Sequence, residues 1–365
     1  MVRHGVEQGP ALRLAAPAIA AGWTVAALFA GGFFVGTVAA LALAACSGLA
    51  LVAAVRGLRR PSPAVLALAF LSAWSGASVL WGGHDVARPV LLAVLYAAVL
   101  WLAEQLDRAT LLRALRVAIV GIALLALGAY ALGVAPTAGG SSSRLEWPIT
   151  YANGLGLVAA TGAILWLTLP APRRLALPAA ALCAVTAGLT YSRSTAVAAC
   201  VAVVVYAAVT ARVPPRAVVA IAAAIVVGAL LFGPALWSRF ERPVPDTRGA
   251  QRLTTLSGHG RAQLWRAAWR AGVSRPVTGV GAGAFRTVAG AHSLELQTFA
   301  ELGAVGLAAL ALFLLHGSVV ARASGTAAAV FALWLVVASV DWMWQLPACT
   351  IPALLALGGT VRPHP

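Results

Sequence analysis

Long apolar runs, separated by short clusters of Arg, Pro and Gly, are the feature that most limits what this chain can fold into. A membrane-crossing helix needs about 20 predominantly apolar residues, and the 365 residues contain enough apolar sequence for a dozen such segments. Charged side chains make up only 10% of the chain, against roughly 25% in soluble domains. The sequence therefore predicts an all-α polytopic membrane helical bundle. It excludes a soluble enzyme, a disordered regulator and a secreted disulfide scaffold.

Twelve apolar segments, within a range of 11–13, are predicted to cross the membrane as one integral membrane domain over residues 1–365. They are placed at residues 14–31, 35–55, 63–81, 89–104, 115–132, 154–169, 175–189, 195–210, 217–236, 294–315, 326–340 and 347–361. Residues 237–291, between the ninth and tenth segments, are predicted to form one large extracytoplasmic loop that contains short helices.

The basic residues, all of them Arg, set the predicted orientation. Twelve crossings put both termini on the same side, and short cytoplasmic loops of membrane proteins collect Arg. Fourteen arginines fall on the side of the termini, and three, Arg88, Arg144 and Arg193, fall in the short loops of the other side. We therefore expect cytoplasmic termini and a first segment that is a retained signal anchor. The net charge of +16 is explained by topology, and no nucleic-acid partner is predicted.

The large loop is itself strongly basic, with nine arginines against Glu241 and Asp246. A loop of this length is partly exempt from the topology rule, so its charge needs a further reason. Guanidinium groups pair bidentately with phosphate oxygens, which favours an anionic ligand at the outer leaflet. Attraction to the head groups of membrane lipids is the alternative explanation.

Four short patterns occur in order in the second half of the chain. They are Thr190-Tyr191-Ser192-Arg193-Ser194, Gly260-Arg261-x-x-Leu264-Trp265, His292-Ser293-Leu294-x-Leu296-Gln297-x-x-x-Glu301 and Ser339-Val340-Asp341-Trp342. In this order, with a large outer loop before the penultimate pair of segments, they resemble the O-antigen ligase/polymerase family of membrane glycosyltransferases. The resemblance is tightest from about Tyr151 to Pro347.

This resemblance implies a GT-C-like, metal-independent enzyme of the plasma (inner) membrane. Such an enzyme moves a glycan from an undecaprenyl-diphosphate donor to an acceptor hydroxyl on a glycan, lipid or protein at the outer face. Arg193 and Arg261 fall on arginine positions that the family associates with the donor diphosphate, and His292 falls on its essential histidine, the base that activates the acceptor. Ligases, polymerases and protein O-oligosaccharyltransferases all remain open.

The acidic residues agree with a phosphate site that uses no metal. A diphosphate leaving group gains negative charge as the anomeric C–O bond breaks, and fixed cations lower that barrier. The ten acidic residues include no Asp-x-Asp pair of the kind that holds Mg²⁺. We therefore predict neither a metal nor another cofactor, with arginine in place of the metal.

Helical spacing suggests how two of the motif residues act. In a helix over 260–273, Arg261 falls on the apolar face and is expected to point toward a substrate phosphate, or else to extend to water. Glu295, one turn after His292, is expected to orient the imidazole or raise its basicity, and we include it among the substrate-binding residues.

Two further polar residues are predicted to bind substrate. Asp341 lies beside Trp342 and Trp344, whose rings could stack on sugar faces, so it is expected to contact acceptor hydroxyls; a simple interfacial loop is the alternative. Asn153, at the start of the sixth segment, is expected near the acceptor. Glu301, inside a predicted segment, is interpreted as a structural acid with a partner.

A transporter or lipid flippase is the main alternative from another functional class. Transporters often contain internal repeats and charged residues in the middle of the membrane. Here no convincing repeat is seen, and the ionisable residues gather at the outer ends of segments seven, ten and eleven. This placement favours chemistry at one membrane face over alternating access.

Overall fold

A computed structural model describes most of the chain. The described residues are 10–135, 144–214, 237–238, 240–241, 251–254, 258, 260–285 and 290–358. Within these ranges the structure is all α-helical, and no strand occurs. The ninth predicted segment, 217–236, and parts of the large loop lie outside the described residues.

The described residues form thirteen α-helices, which we number in chain order. They are α1 (Pro10–Leu28), α2 (Val35–Arg56), α3 (Pro63–Ala77), α4 (Ala87–Glu104), α5 (Arg108–Ala131), α6 (Ala152–Thr168), α7 (Arg173–Leu189), α8 (Arg193–Thr210), α9 (Gln251–Thr254), α10 (Arg261–Ser274), α11 (Leu294–Ala321), α12 (Gly325–Val340) and α13 (Pro347–Gly358). Each predicted segment in the described ranges corresponds to one helix. The largest differences are at α5, which begins at Arg108 instead of residue 115, and α11, which extends to Ala321 instead of residue 315.

The helices make this a multi-pass membrane protein. Six are long and apolar enough to cross a membrane: Val35–Val55, Pro63–Leu80, Ala87–Glu104, Arg108–Ala131, Arg193–Thr210 and Leu294–Ala321. Four more are apolar but shorter: Leu14–Leu28, Ala152–Thr168, Gly325–Val340 and Pro347–Gly358. The count of about twelve crossings and the division into membrane domain and loop stay predictions.

The last helix, α13, occupies the centre of the bundle. It packs against α1, α4, α5, α6 and α12, and all twelve of its residues are buried. Twelve helical residues rise about 18 Å, which is less than the ~30 Å hydrocarbon thickness of a bilayer. Its ends are held by side chains: Trp23 donates to the Ala348 carbonyl at 2.9 Å, and Arg108 to the Leu357 carbonyl at 3.0 Å.

Tyr151, Asn153, Arg261, His292 and Asp341 meet at one end of the bundle, which we call the site end. There α3, α7 and α12 end, and α4, α6, α8, α11 and α13 begin. At the opposite end, arginines contact carbonyls at or just beyond helix ends: Arg108 donates to the Leu357 carbonyl of α13 at 3.0 Å, and Arg116 to the Pro170 carbonyl, two residues after α6, at 3.2 Å. A cation at a helix C-terminus interacts favourably with the helix dipole. The arginines that the sequence assigns to the cytoplasmic side thus also stabilise helix ends.

Helix α11 is broken at Gly303, and the break joins the large loop to the bundle. Gly303 has a φ of 64° and a ψ of −161°, which are not helical. The backbone N–H groups of Val280 and Gly281 donate to the carbonyls of Ala300 and Glu301, each at 2.9 Å. Irregular backbone is tolerated near a membrane where it is buried in protein or lines a cavity. The break therefore separates a short first part, residues 294–302, from the long remainder of the helix.

Candidate active site

The carboxylate of Asp341, immediately after α12, is the centre of the site. Its side chain is 0% exposed, so it depends on protein groups for hydrogen bonds. Five groups contact it: Tyr151 Oη at 2.7 Å, His292 Nδ1 at 2.8 Å and the backbone N–H of Trp342 at 2.9 Å on Oδ1, and Asn153 Nδ2 at 2.6 Å and Arg261 Nη2 at 2.9 Å on Oδ2. These partners come from four separate regions of the chain, which the carboxylate connects.

The surroundings of Asp341 keep it ionised. Burial alone raises the pKa of Asp341, but the hydrogen bond from His292 and the positive charge of Arg261 outweigh burial and hold the pKa below its usual value. Both effects favour the charged form of a carboxyl group. Asp341 is therefore a carboxylate at neutral pH, and it binds an imidazole and a guanidinium at the same time.

His292 lies just before α11, and among the described residues only its Nδ1 has a side-chain hydrogen bond. Its backbone is left-handed, with a φ of 48°, and Ser293 is the N-cap residue, whose Oγ accepts from the Leu296 N–H at 3.3 Å. Because an ionised carboxylate only accepts hydrogen bonds, the Nδ1 that contacts Asp341 carries the proton. In the neutral imidazole the second nitrogen, Nε2, carries the lone pair and can accept a proton, in the arrangement of a histidine base oriented by a carboxylate.

The expectation that Glu295 orients the imidazole is wrong. Glu295 Oε2 accepts from Ser293 Oγ at 3.0 Å, and Oε1 accepts from Ser339 Oγ at 2.7 Å. The expectation assumed that His292 belongs to the helix, so that three residues of spacing would bring the two side chains together. Since the helix begins only at Leu294, this spacing does not apply. The carboxylate that orients His292 is Asp341, which local spacing could not indicate.

The Arg261 side chain points into the site, and only part of its guanidinium group is hydrogen-bonded. The predicted helix over 260–273 is confirmed as α10, Arg261–Ser274, and Arg261 lies at its start. Its Nη2 pairs with Asp341 at 2.9 Å, and its side chain is 19% exposed. Among the contacts of the described residues, its other N–H groups are not engaged. They remain available to an anion beside the Asp341 pair.

Arg144, which the sequence analysis treated only as a topology signal, extends the network toward Arg193. Arg144 Nη2 donates to Asn153 Oδ1 at 2.6 Å, and its Nε donates to the Thr190 carbonyl at 2.7 Å. Arg193 begins α8 three residues after Thr190, and Ser192 is the N-cap of that helix. A lone arginine in an outer loop was the available signal for Arg144, but its partners are distant in sequence.

Asp341 and Asn153, both expected to contact the acceptor, are hydrogen-bonded to each other. Asn153 is 7% exposed, and its amide is used on both sides, by Arg144 and by Asp341. The two side chains therefore satisfy part of each other's hydrogen-bonding capacity, and Asp341 also borders a cavity. Their contact with an acceptor stays a prediction. Local sequence could not indicate their mutual contact, because 188 residues separate them.

A cavity of about 270 Å³ opens beside His292. Its walls combine four aromatic rings, those of Phe33, Phe285, Trp342 and Trp344, with polar side chains that include Asp85, Arg88, Gln297, Glu301 and Gln345. Ligand pockets typically combine apolar surface with a few placed polar groups, and this mixture suits a polyhydroxylated ligand. Arg193 and Arg261 are not among the lining residues. The cavity and the arginines are thus distinct parts of the site, and His292 and Asp341 border the cavity.

Arg88 is a second residue whose role the sequence did not indicate. Its Nη1 and Nη2 donate to the side-chain and backbone oxygens of Gln345 at 2.6 and 2.9 Å, and its Nε donates to the Phe33 carbonyl at 3.1 Å. The guanidinium also lies 4.3 Å from the centre of the Phe33 ring. Arg88 therefore fixes the loops that precede α2 and α13 at the edge of the cavity.

One comparison with known proteins finds a match to part of the chain. A family model described as O-antigen ligase matches residues 178–311. The matched range contains Arg193, Arg261 and His292, whereas Asp341 and Asn153 lie outside it. No curated protein matches the chain. The match confirms the O-antigen ligase-like resemblance found in the sequence, and it supports a membrane glycosyltransferase of this type.

Replacing Tyr151 by phenylalanine tests the network around Asp341. Burial raises the pKa of Tyr151, so its hydroxyl keeps the proton that it donates to Asp341. A hydrogen bond to a charged group contributes about 1.5–3 kcal/mol, and Tyr151→Phe should therefore lower the Tm of the purified protein in detergent. Tyr206→Phe is the matched control, since the Tyr206 hydroxyl has no hydrogen bond among the described contacts. Equal Tm values for the two variants would contradict the network.

Proposed function

Residues 178–311 are O-antigen ligase-like, and on that premise we propose that the protein transfers a glycan from undecaprenyl diphosphate to an acceptor hydroxyl at the outer face of the plasma membrane. One observation carries the proposal. A single buried carboxylate, Asp341, contacts both the histidine that the resemblance assigns as base and an arginine that it assigns to the donor diphosphate. The base and a cation for the leaving group are therefore held in a fixed relation.

In the proposed reaction, His292 acts as the general base. Its Nε2 takes the proton of the acceptor hydroxyl while the hydroxyl oxygen attacks the anomeric carbon of the donor sugar. The bond from that carbon to the diphosphate oxygen breaks, and undecaprenyl diphosphate leaves with the electron pair. Asp341 keeps the imidazole oriented and stabilises the imidazolium that forms. Its lowered pKa supports this role, because it favours the charged form throughout.

Arginine is proposed to stabilise the leaving diphosphate. Negative charge grows on the diphosphate as the C–O bond breaks, and preorganised cations at that position lower the barrier. Arg261 supports this role because the ion pair with Asp341 fixes its guanidinium while leaving other N–H groups available. Arg193, at the start of α8, is proposed as the second contact. With arginine in this role, the reaction needs no metal ion.

The cavity beside His292 is the proposed place of the acceptor. Aromatic rings and hydrogen-bonding side chains in one small space favour a sugar hydroxyl over the hydroxyl of a protein side chain. This favours a ligase or polymerase over a protein O-oligosaccharyltransferase. Glu295 has a proposed supporting role, because it ties Ser293 at the start of α11 to Ser339 near the end of α12.

Removal of the imidazole tests the reaction. Purified full-length protein in liposomes is expected to convert an undecaprenyl-diphosphate-linked glycan into acceptor-linked product, followed by mass spectrometry. His292→Ala should abolish turnover because, among the residues that the structure describes, no other imidazole contacts Asp341, while His316→Ala, a control within α11, should leave it unchanged. Full turnover by His292→Ala would contradict the assignment of the base. Movement of the donor across the bilayer without any product would favour the flippase alternative.

Chelation tests the proposed use of arginine in place of a metal. Fixed guanidinium groups are expected to stabilise the negative charge that grows on the diphosphate. An excess of EDTA should therefore leave the turnover of the wild-type protein unchanged. The measurement is the initial rate with EDTA alone and with EDTA followed by excess Mg²⁺. A rate that falls with EDTA and returns with Mg²⁺ would overturn the metal-free mechanism.

A further inference from the structure

The backbone that presents His292 is strained and needs support. His292 is not a glycine, yet it has a φ of 48°, and Gly290 two residues earlier has a φ of 64°. A non-glycine residue in the left-handed region costs on the order of 1–3 kcal/mol and persists only where surrounding structure holds it there. The contacts that hold this turn therefore decide where the imidazole points.

Two side chains fix the turn on either side of His292. The backbone N–H of Ala291 donates to Gln297 Oε1 at 2.7 Å. On the other side, Trp265 Nε1 donates to the His292 carbonyl at 3.4 Å. The first of these hydrogen bonds is short, and its acceptor, Gln297, belongs to α11 itself. Gln297 thus connects the turn to the first part of that helix, which is the part isolated by the break at Gly303.

Glu301 determines which end of the Gln297 amide faces the turn. Gln297 Nε2 donates to Glu301 Oε1 at 2.6 Å, and the two residues lie one helical turn apart. Glu301 is 9% exposed, and it has the partner that the sequence analysis predicted for it. Since its oxygen accepts, it selects the NH₂ group of Gln297, which leaves the amide oxygen to accept from Ala291. The two hydrogen bonds thus run in one direction: the Ala291 N–H donates to Gln297, and the Gln297 NH₂ group donates to Glu301.

We infer that Gln297 is a positioning residue for His292, and that Glu301 orients Gln297 for that task. The pair holds the left-handed turn, which keeps the imidazole between Asp341 and the cavity. Neither residue is required to touch the reacting atoms. The inference rests on the proposed glycan transfer for its kinetic consequence, but its structural consequence is independent of that function.

Two single variants and their combination test this role. Gln297→Glu keeps the oxygen for Ala291 but places a second carboxylate against Glu301, and Glu301→Gln removes the group that orients the amide. Each should lower kcat at least tenfold with little change in the KM for the donor. The double variant Q297E/E301Q exchanges the two groups and restores a donor–acceptor pair, so kcat should return to within about threefold of wild type. Gln263→Glu, the same change on the exposed face of α10, should leave kcat unchanged.

Hydrogen–deuterium exchange of the same proteins gives a readout that does not depend on activity. Gln297→Leu removes the acceptor of the Ala291 N–H, so the peptide containing residues 290–293 should exchange faster than in the wild type. Unchanged exchange in that peptide would overturn the inference, whether or not the wild type transfers glycans. Unchanged kcat in Q297E, or no recovery in the double variant, would overturn it as well. An inactive wild type with the expected change in exchange would count against the proposed function alone.

Discussion

A buried carboxylate shared between an imidazole and a guanidinium is the interaction on which the site depends. Asp341 has no exposed surface, and a charge in that position is tolerated only when it is paired and hydrogen-bonded. Its partners stand at the starts of α6, α10 and α11. Removing one partner of a buried pair typically costs 3–5 kcal/mol. The need to satisfy this one charge therefore brings together helix ends that are far apart in the sequence.

Sharing the carboxylate also links two catalytic requirements. Glycosyl transfer needs a base for the acceptor and positive charge for the leaving group. Here each contacts a different oxygen of one carboxylate, His292 on Oδ1 and Arg261 on Oδ2, so the distance between them is set by the protein and not by the substrate. The cavity lies on the side of His292, and the available guanidinium of Arg261 lies next to Asp341. In the proposed reaction, this division would leave separate places for donor and acceptor around one fixed centre.

The sequence predicts the helices well because each long hydrophobic run indicates directly where a helix lies. It also singles out His292, Arg261 and Asp341. It could not predict that Asp341 contacts His292 or that Arg144 joins Thr190 to Asn153, because those contacts join distant parts of the chain. The error at Glu295 has a local cause, since a left-handed residue before a helix has no helical spacing. The break at Gly303 could not be predicted either, because the sequence of an apolar run does not show whether a glycine within it has helical backbone angles.

The turnover number of Asp341→Asn tests the central claim most directly. Asparagine has nearly the same shape but no negative charge, and its NH₂ group cannot accept a hydrogen bond. The variant can favour the wrong imidazole tautomer, a change that lowers kcat by several orders of magnitude in hydrolases with a carboxylate–histidine pair. We predict that kcat for glycan transfer falls at least 100-fold in folded, monodisperse protein. A kcat equal to that of the wild type would contradict the role of Asp341 as the centre of the site.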